Sequence, residues 1–291
     1  MSVSSNVIGV HALVWVGGWS KDECHEAIRK SKEAGYDLIE IPALDPASID
    51  IEDTKKTLAQ YGMKAACSLG LSIDADINNE DPAVVARGEK KLMDALSVVE
   101  GLGGDYLGRV IYSYLGKYPG PATQKAYENA TNSLRRVAQA AKSKGITIGL
   151  EPVNRYESNL INTGQQALDM IKAIGEDNVV VHLDVYHMNI EEQDLISPVL
   201  ACGDKLGYVH IGASHRGPLG TGNVDFDSFF GALAKIGYKG VITFESFSSA
   251  VVSKDLSNTL GIWRNLWTDN MAMAKSSREY MEKKINVAYS K

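Results

Sequence analysis

Four polar side chains each stand late in a short apolar run: Glu151 in Gly149-Leu-Glu-Pro152, Asp184 in His182-Leu-Asp-Val185, His210 in Tyr208-Val-His-Ile211 and Glu245 in Thr243-Phe-Glu-Ser246. Their separations, 33, 26 and 35 residues, are each close to one strand-plus-helix unit. Three carboxylates gathered in an interior repel one another, and each isolated buried ion costs several kcal/mol. A divalent cation removes both penalties. Three carboxylates and one imidazole suit a hard or borderline ion, Mn²⁺ first and Mg²⁺ or Co²⁺ as alternatives, rather than the sulfur-rich set of structural zinc. Singly, a strand-end carboxylate also suits a helix cap or a salt bridge, and a strand histidine a satisfied core group. The set of four is what points to a metal centre.

Something must bring these four together. Short β-branched runs recur along the chain, each followed by a longer amphipathic stretch, the pattern of repeated βα units. Eight strands are expected near Val7–Trp15, Leu38–Ile41, Lys64–Leu71, Tyr106–Tyr112, Ile146–Val153, Val179–His187, Leu206–Ala213 and Gly240–Phe247. Helices are expected near Lys21–Ala34, Ile49–Tyr61, Pro82–Leu102, Thr123–Lys144, Thr163–Ile174, Glu191–Ala201, Phe226–Ile236 and Asn270–Asn286. Glycines 35, 62, 145, 175 and 237 close helices just ahead of strands. Eight such units close into a (β/α)8 TIM barrel, whose active site lies at the C-terminal ends of the strands. Strand alternation then puts Glu151, Asp184, His210 and Glu245 on the barrel side, with the intervening apolar residues facing the helices. A doubly wound open sheet is the alternative, but Trp15-Val-Gly-Gly-Trp19 lacks the GxGxxG phosphate loop expected after its first strand. With no Pro/Gly/Ser-rich linker, residues 1–291 read as one domain.

Composition narrows the function classes. The chain is 44% apolar and 23% charged, with a net charge of −6 and basic residues dispersed, so nucleic acid is disfavoured as a partner. Cys24, Cys67 and Cys202 form no CxxC pair and fit a reducing compartment. Met1-Ser-Val-Ser-Ser-Asn6 has no leader pattern, and no apolar stretch nears the roughly 20 residues of a membrane span. A cytoplasmic protein without membrane contact is expected.

Beyond the four candidate ligands, the chain resembles the ketose 3-epimerases, the D-tagatose, D-allulose (psicose) and L-ribulose 3-epimerase group within the xylose-isomerase-like barrels. The resemblance rests on Glu151-Pro-Val-Asn-Arg-Tyr-Glu157, Leu183-Asp-Val-Tyr-His-Met-Asn-Ile-Glu-Glu192, Val209-His-Ile-Gly212 followed by Arg216, and Phe244-Glu-Ser-Phe247. The Asp184 to Glu192 stretch is the most specific, and similarity runs along nearly the whole chain. It implies that Glu151, Asp184, His210 and Glu245 are metal ligands, and that Glu151 and Glu245 are also the catalytic acid/base pair. It implies that Glu157, His187 and Arg216 bind oxygens around C1 to C3 of the sugar and that Trp15 lines the pocket. On residue type alone Arg216 and Glu157 equally suit solvated loop charges, His187 a cap and Trp15 packed core. The sequence departs from the family pattern at His11, where Tyr or Phe is common, at Tyr112, where a pocket Trp occurs, and at Ser68, where a Cys occurs. Ser214 and His215 replace a Glu-rich lead-in of the D-tagatose members. These departures bear on which ketose is preferred, pentulose or hexulose.

The implied reaction inverts C3 of a ketose. The sugar chelates the ion through O2 and O3, one glutamate removes the C3 proton to give an enediolate, and the other returns a proton to the opposite face. Competing readings on the same barrel are an aldose–ketose or hydroxypyruvate-type isomerase, an inosose-type lyase and a catalytically silent sugar-binding barrel. A trinuclear-zinc DNA repair nuclease needs more histidines than the six present. No phosphate loop stands out beyond the short Gly220-Thr-Gly222, which favours free sugars over sugar phosphates. The family implies a homodimer or homotetramer. Met271–Lys291 with Trp263 and Trp267 offers an interface, although core packing accounts for those aromatics equally well.

Overall fold

The computed structural model describes residues 6–290. Residues 1–5 and 291 lie outside the described residues, and with them most of the segment read as lacking a leader and the last residue of the proposed interface stretch. Eight parallel strands close in sequence order: β1 (Ile8–His11), β2 (Leu38–Pro42), β3 (Lys64–Ser68), β4 (Tyr106–Gly108), β5 (Thr147–Leu150), β6 (Val179–Asp184), β7 (Leu206–Ile211) and β8 (Val241–Phe244), with β8 pairing back onto β1. The expected barrel is therefore present. Around it run α1 (Lys21–Glu33), α2 (Ile51–Tyr61), α3 (Pro82–Leu102), α4 (Gln124–Ser143), α5 (Gly164–Ile174), α6 (Val185–Glu191), α7 (Ser197–Cys202), α8 (Phe226–Lys235), α9 (Lys254–Leu260) and α10 (Asn270–Tyr289). None of the helices among the described residues is long and apolar enough to cross a membrane.

Two apolar layers hold the barrel. Outward strand residues such as Val10, Ile39, Leu107, Val181, Val209 and Ile242 join one large buried cluster with the inner faces of the helices. Inside the N-terminal half, Tyr106 stacks on Tyr208 at 4.3 Å between ring centroids, with Leu38 and Ala66 alongside. Gly149 makes room for this filling, because a Cβ there would stand 1.8 Å from the Tyr106 hydroxyl. Above the tyrosines the interior turns polar. Register fixes that layer, setting Asp184 beside His210 and His11 beside Glu40.

All five helix-ending glycines named from the sequence take positive φ, between 60° and 91°, as left-handed C-terminal caps require. The strands, by contrast, end earlier than their apolar runs. β1 stops at His11, whose Nδ1 accepts the Leu13 N–H at 3.2 Å and starts a 3-10 turn, so Trp15 stands beyond a turn rather than at a strand end. β4 stops at Gly108 because Arg109 takes φ 88° and leaves the extended region. β6 stops at Asp184, whose carboxylate caps α6, which places His187 on a helix. Of the helix expected over Glu191–Ala201 only the second half is helical: α6 ends at Glu191, Asp194 accepts the N–H groups of Ile196 and Ser197, and α7 begins at Ser197 with Pro198 in its first turn. Helix α9 was not expected, its sequence being largely polar.

Candidate active site

Glu151 and Glu245 stand one residue beyond β5 and β8, while Asp184 is the last residue of β6 and His210 the last but one of β7. All four are buried. The Nδ1 atom of His210 lies 3.4 Å from Glu151 Oε1, 3.7 Å from Glu245 Oε1 and 3.9 Å from Asp184 Oδ2. Asp184 is fixed by its cap: Oδ1 accepts the Tyr186 N–H at 2.7 Å, which leaves Oδ2 facing inward. His210 is fixed by Glu40, whose Oε2 lies 2.7 Å from Nε2. A proton on Nε2 leaves the lone pair of Nδ1 pointing into the cluster, the carboxylate–histidine arrangement that orients metal-ligating imidazoles.

A test of metal fit follows from hydrogen-bond accounting, since buried polar atoms are almost always paired. Glu151 Oε1 and Oε2, Asp184 Oδ2, His210 Nδ1 and Glu245 Oε1 are all buried without a hydrogen-bond partner. One orphaned atom at least comes from each of the four candidate ligands, and each is an electron-pair donor. Ligand atoms of Asp184, His210 and Glu245 all lie within 4.8 Å of one another. Buried Asp, His and Glu groups able to hold a metal ion are thus assembled where the sequence reading put them.

The electrostatics agree. Burial would lower the pKa of His210, but Glu40, Glu245 and Glu151 outweigh it and hold that pKa well above the usual imidazole value. Those carboxylates favour a positive charge at Nδ1, whether a proton or a metal. Burial pushes Asp184 up to about 8, helped by Glu245 and Glu151 and opposed by Arg216. Glu245 goes the other way: burial would raise it, but Arg109, Arg216 and His210 hold it well below the usual carboxylate range.

Glu157, His187 and Arg216 are not solvated loop charges; all three are buried. Arg216, at φ 60°, pairs through Nη1 with Glu245 and lies 3.6 Å from Asp184 Oδ2. Its guanidinium is clasped between Tyr186, 3.9 Å from the ring centroid, and Phe247, at 4.8 Å. His187 Nδ1 accepts the Asn154 N–H at 3.0 Å, and the Asn154 side chain donates to Glu157 Oε1 at 3.0 Å. Asn154 therefore sets both residues. Burial raises Glu157 and lowers His187, with Arg216 lowering both. His11 Nε2 stands 3.3 Å from Ser68 Oγ and 3.5 Å from Glu40 Oε1, and burial lowers His11 to about 4, a neutral ring at neutral pH.

Trp15 and Tyr112 are placed differently. The Trp15 indole N–H donates to Ser31 Oγ of α1 at 2.8 Å, and its ring belongs to the main apolar core. The Tyr112 hydroxyl reaches the Glu151 and Ile161 carbonyls at 2.7 and 3.0 Å. It braces the backbone that carries Glu151. A cavity of about 210 Å³ is lined by Arg216 and its two clasping rings, Tyr186 and Phe247, together with His215, Trp263 and Arg264 among others.

Residues 28–284 match the family model of the xylose isomerase-like TIM barrels. An L-ribulose 3-epimerase of Methylomonas sp. (strain DH-1) is 52% identical over 276 residues, 95% of this chain and 96% of that one. A ketose 3-epimerase of Arthrobacter globiformis is 49% identical, covering 96% of both. This chain belongs to the ketose 3-epimerases. The crystal structure of a Methylomonas sp. D-allulose 3-epimerase in complex with D-allulose superposes with a TM-score of 0.95 at 51% identity, covering 97% of this chain and 98% of that one.

Two charged groups in this ketose 3-epimerase site escaped the sequence reading. Glu40 sits in the apolar run Leu38-Ile-Glu-Ile-Pro42, and Arg109 in Gly108-Arg-Val-Ile-Tyr112. Glu40 is a carboxylate inside an apolar run, the pattern shared by the four candidate ligands, but it lies outside the four consecutive strands that carry them; Arg109 stands one residue beyond β4, where strand alternation would point a side chain outward.

Proposed function

We propose that this protein is a single-domain, divalent-metal-dependent 3-epimerase of free ketoses of the L-ribulose and D-allulose class, with Mn²⁺ as its ion. The observation that carries this reading is the set of unpartnered, buried donor atoms contributed by Glu151, Asp184, His210 and Glu245. A divalent ion held by these four would stabilise negative charge on the ketose oxygens as the C3 proton leaves. The relatives named for L-ribulose and the D-allulose complex support the substrate class.

In this reading Glu151 and Glu245, one residue beyond β5 and β8, attend opposite faces of the sugar. One removes the C3 proton to give an enediolate and the other delivers a proton to the far face, which inverts C3. Arg216, His187 and Glu157 bind the C1 to C3 oxygens, with Arg216 held rigid between two rings. His11 and Ser68 form a polar wall opposite them, hydrogen-bonded to each other. Trp15 and Tyr112 contribute apolar surface, their polar atoms being engaged elsewhere. Three buried free cysteines support a cytoplasmic setting. We place the enzyme there as a homodimer or homotetramer, with Trp263, 77% exposed, as an interface candidate and the buried Trp267 as core. Sizing chromatography tests the assembly.

The reaction is tested by incubating L-ribulose, D-fructose, D-allulose and D-tagatose in D₂O with and without Mn²⁺. Deuterium at C3 together with the C3 epimer is the expected result. Deuterium confined to C1 or C2 would indicate an aldose–ketose isomerase instead, and none at any carbon would end the epimerase reading.

A further inference from the structure

Arg109 belongs neither to the metal set nor to the motifs that define the family match. Gly108 faces the barrel interior, since a Cβ there would strike the Tyr106 ring. The next residue of an extended strand would face the helices. Arg109 does not, because its φ of 88° turns the side chain back into the barrel while its carbonyl still accepts the Glu151 N–H at 3.3 Å. A left-handed backbone is unfavourable for any residue with a Cβ, and glycine would fit without strain. The Arg109 side chain is 5% exposed.

Its guanidinium reaches three groups of the site. Nη1 lies 3.2 Å from His11 Nε2, Nη2 lies 3.2 Å from Glu245 Oε1 and Nε lies 3.7 Å from Glu151 Oε2. The Phe247 ring centroid is 5.6 Å from its central carbon, and Arg216 lies over the same ring. Nε and Nη2 have no hydrogen-bond partner. A buried cation with two free N–H groups, aimed between the two carboxylates, is suited to an oxygen that gains negative charge.

We propose that Arg109 is a substrate-binding residue: its Nε–H and Nη2–H donate to a ketose oxygen held between Glu151 and Glu245, opposite the Arg216 guanidinium. This rests on the ketose reading above. It carries a second consequence for the metal. A positive charge beside the ligands opposes a bound cation, so removing it leaves the affinity for Mn²⁺ unchanged or makes it tighter.

The test compares Arg109→Gly, which relieves the backbone, with Arg109→Gln and Arg109→Lys. Mn²⁺ affinity is read by titrating the free-ion EPR signal, and KM and kcat are read with L-ribulose at saturating Mn²⁺. The expected result is a loss in kcat/KM of about 10-fold or more, the worth of a charge-assisted hydrogen bond, with Mn²⁺ bound at least as tightly as before. Lysine should not restore the loss, having no fork of donors. Values of KM and kcat within twofold of the unmodified enzyme in any folded variant would overturn the proposal. So would weakened Mn²⁺ binding with activity recovered by excess Mn²⁺, which would reduce Arg109 to a scaffold for the ligands. If the unmodified enzyme exchanges no C3 hydrogen, the ketose reading falls and takes this proposal with it. An active unmodified enzyme matched by its variants overturns this proposal alone.

Discussion

Glu40→Gln isolates the charge that stands behind His210, one of the four candidate ligands. Both side chains are fully buried, and Glu40 Oε2 lies 2.7 Å from His210 Nε2. Glutamine has nearly the same volume, and its carbonyl oxygen can still accept the Nε2–H, so the ring keeps its orientation while the negative charge is lost. Loss of such an outer partner costs about 10- to 100-fold in metal affinity, which is about 1.4–2.8 kcal/mol. Retention of the hydrogen bond puts Glu40→Gln at the lower end of that range. Glu40→Ala, which frees the imidazole as well as leaving a void, belongs at the upper end. Mn²⁺ titrations by EPR or calorimetry measure both. At low Mn²⁺ the activity of each variant should fall in step with its affinity and return as the ion is raised to saturation. A Glu40→Gln protein whose Mn²⁺ affinity stays within twofold of the original would refute the reasoning, as would an activity loss that excess Mn²⁺ leaves in place.

Glu151→Gln and Glu245→Gln should each reduce C3 hydrogen exchange by about 10²- to 10⁴-fold or more, with far-UV circular dichroism unchanged; near-normal kcat in either would remove it from the acid/base pair. Chelation followed by dialysis should abolish exchange and lower the melting temperature, and Mn²⁺ at about 100 times its Kd should restore about 2.7 kcal/mol of stability. Tyr112→Phe strips the hydroxyl from the Glu151 and Ile161 carbonyls and should cost about 1–3 kcal/mol, read by urea denaturation, with an intact ketose KM. Gly149→Ala drives a methyl group into the Tyr106 hydroxyl and should destabilise by about 1–3 kcal/mol; a neutral result would show that the Tyr106–Tyr208 stack can move aside.

The barrel was legible because its signals are local and repeated. Apolar runs, amphipathic stretches and a positive-φ glycine at each of several helix ends recur in phase, so an error in one unit does not disturb the others. Strand ends were overestimated for one reason throughout. The residues beyond β1, β4 and β6 include apolar ones such as Leu13, Val110 and Val185, and hydropathy cannot distinguish a buried strand from a buried turn at the active-site face. His11, Arg109 and Asp184 end their strands through a cap or a dihedral angle. Those are properties of side-chain geometry, which an apolar pattern does not contain.

The same limit explains which site residues were found. The four candidate ligands share a residue class and a spacing, so they stand out together. Glu40 acts through His210, 170 positions away in sequence, and pairing at that range comes only from closure of the sheet. Arg109 is less legible still. By strict strand alternation it should point outward, and only its left-handed backbone brings it inside. A cation expected among the helices has instead entered a cluster of carboxylates, at a position where glycine would be unstrained. Strain of this kind, about 1–3 kcal/mol, persists where the side chain returns something to the site. That is why Arg109→Gly is informative: a variant that is both more stable and less active separates the cost of the conformation from its use.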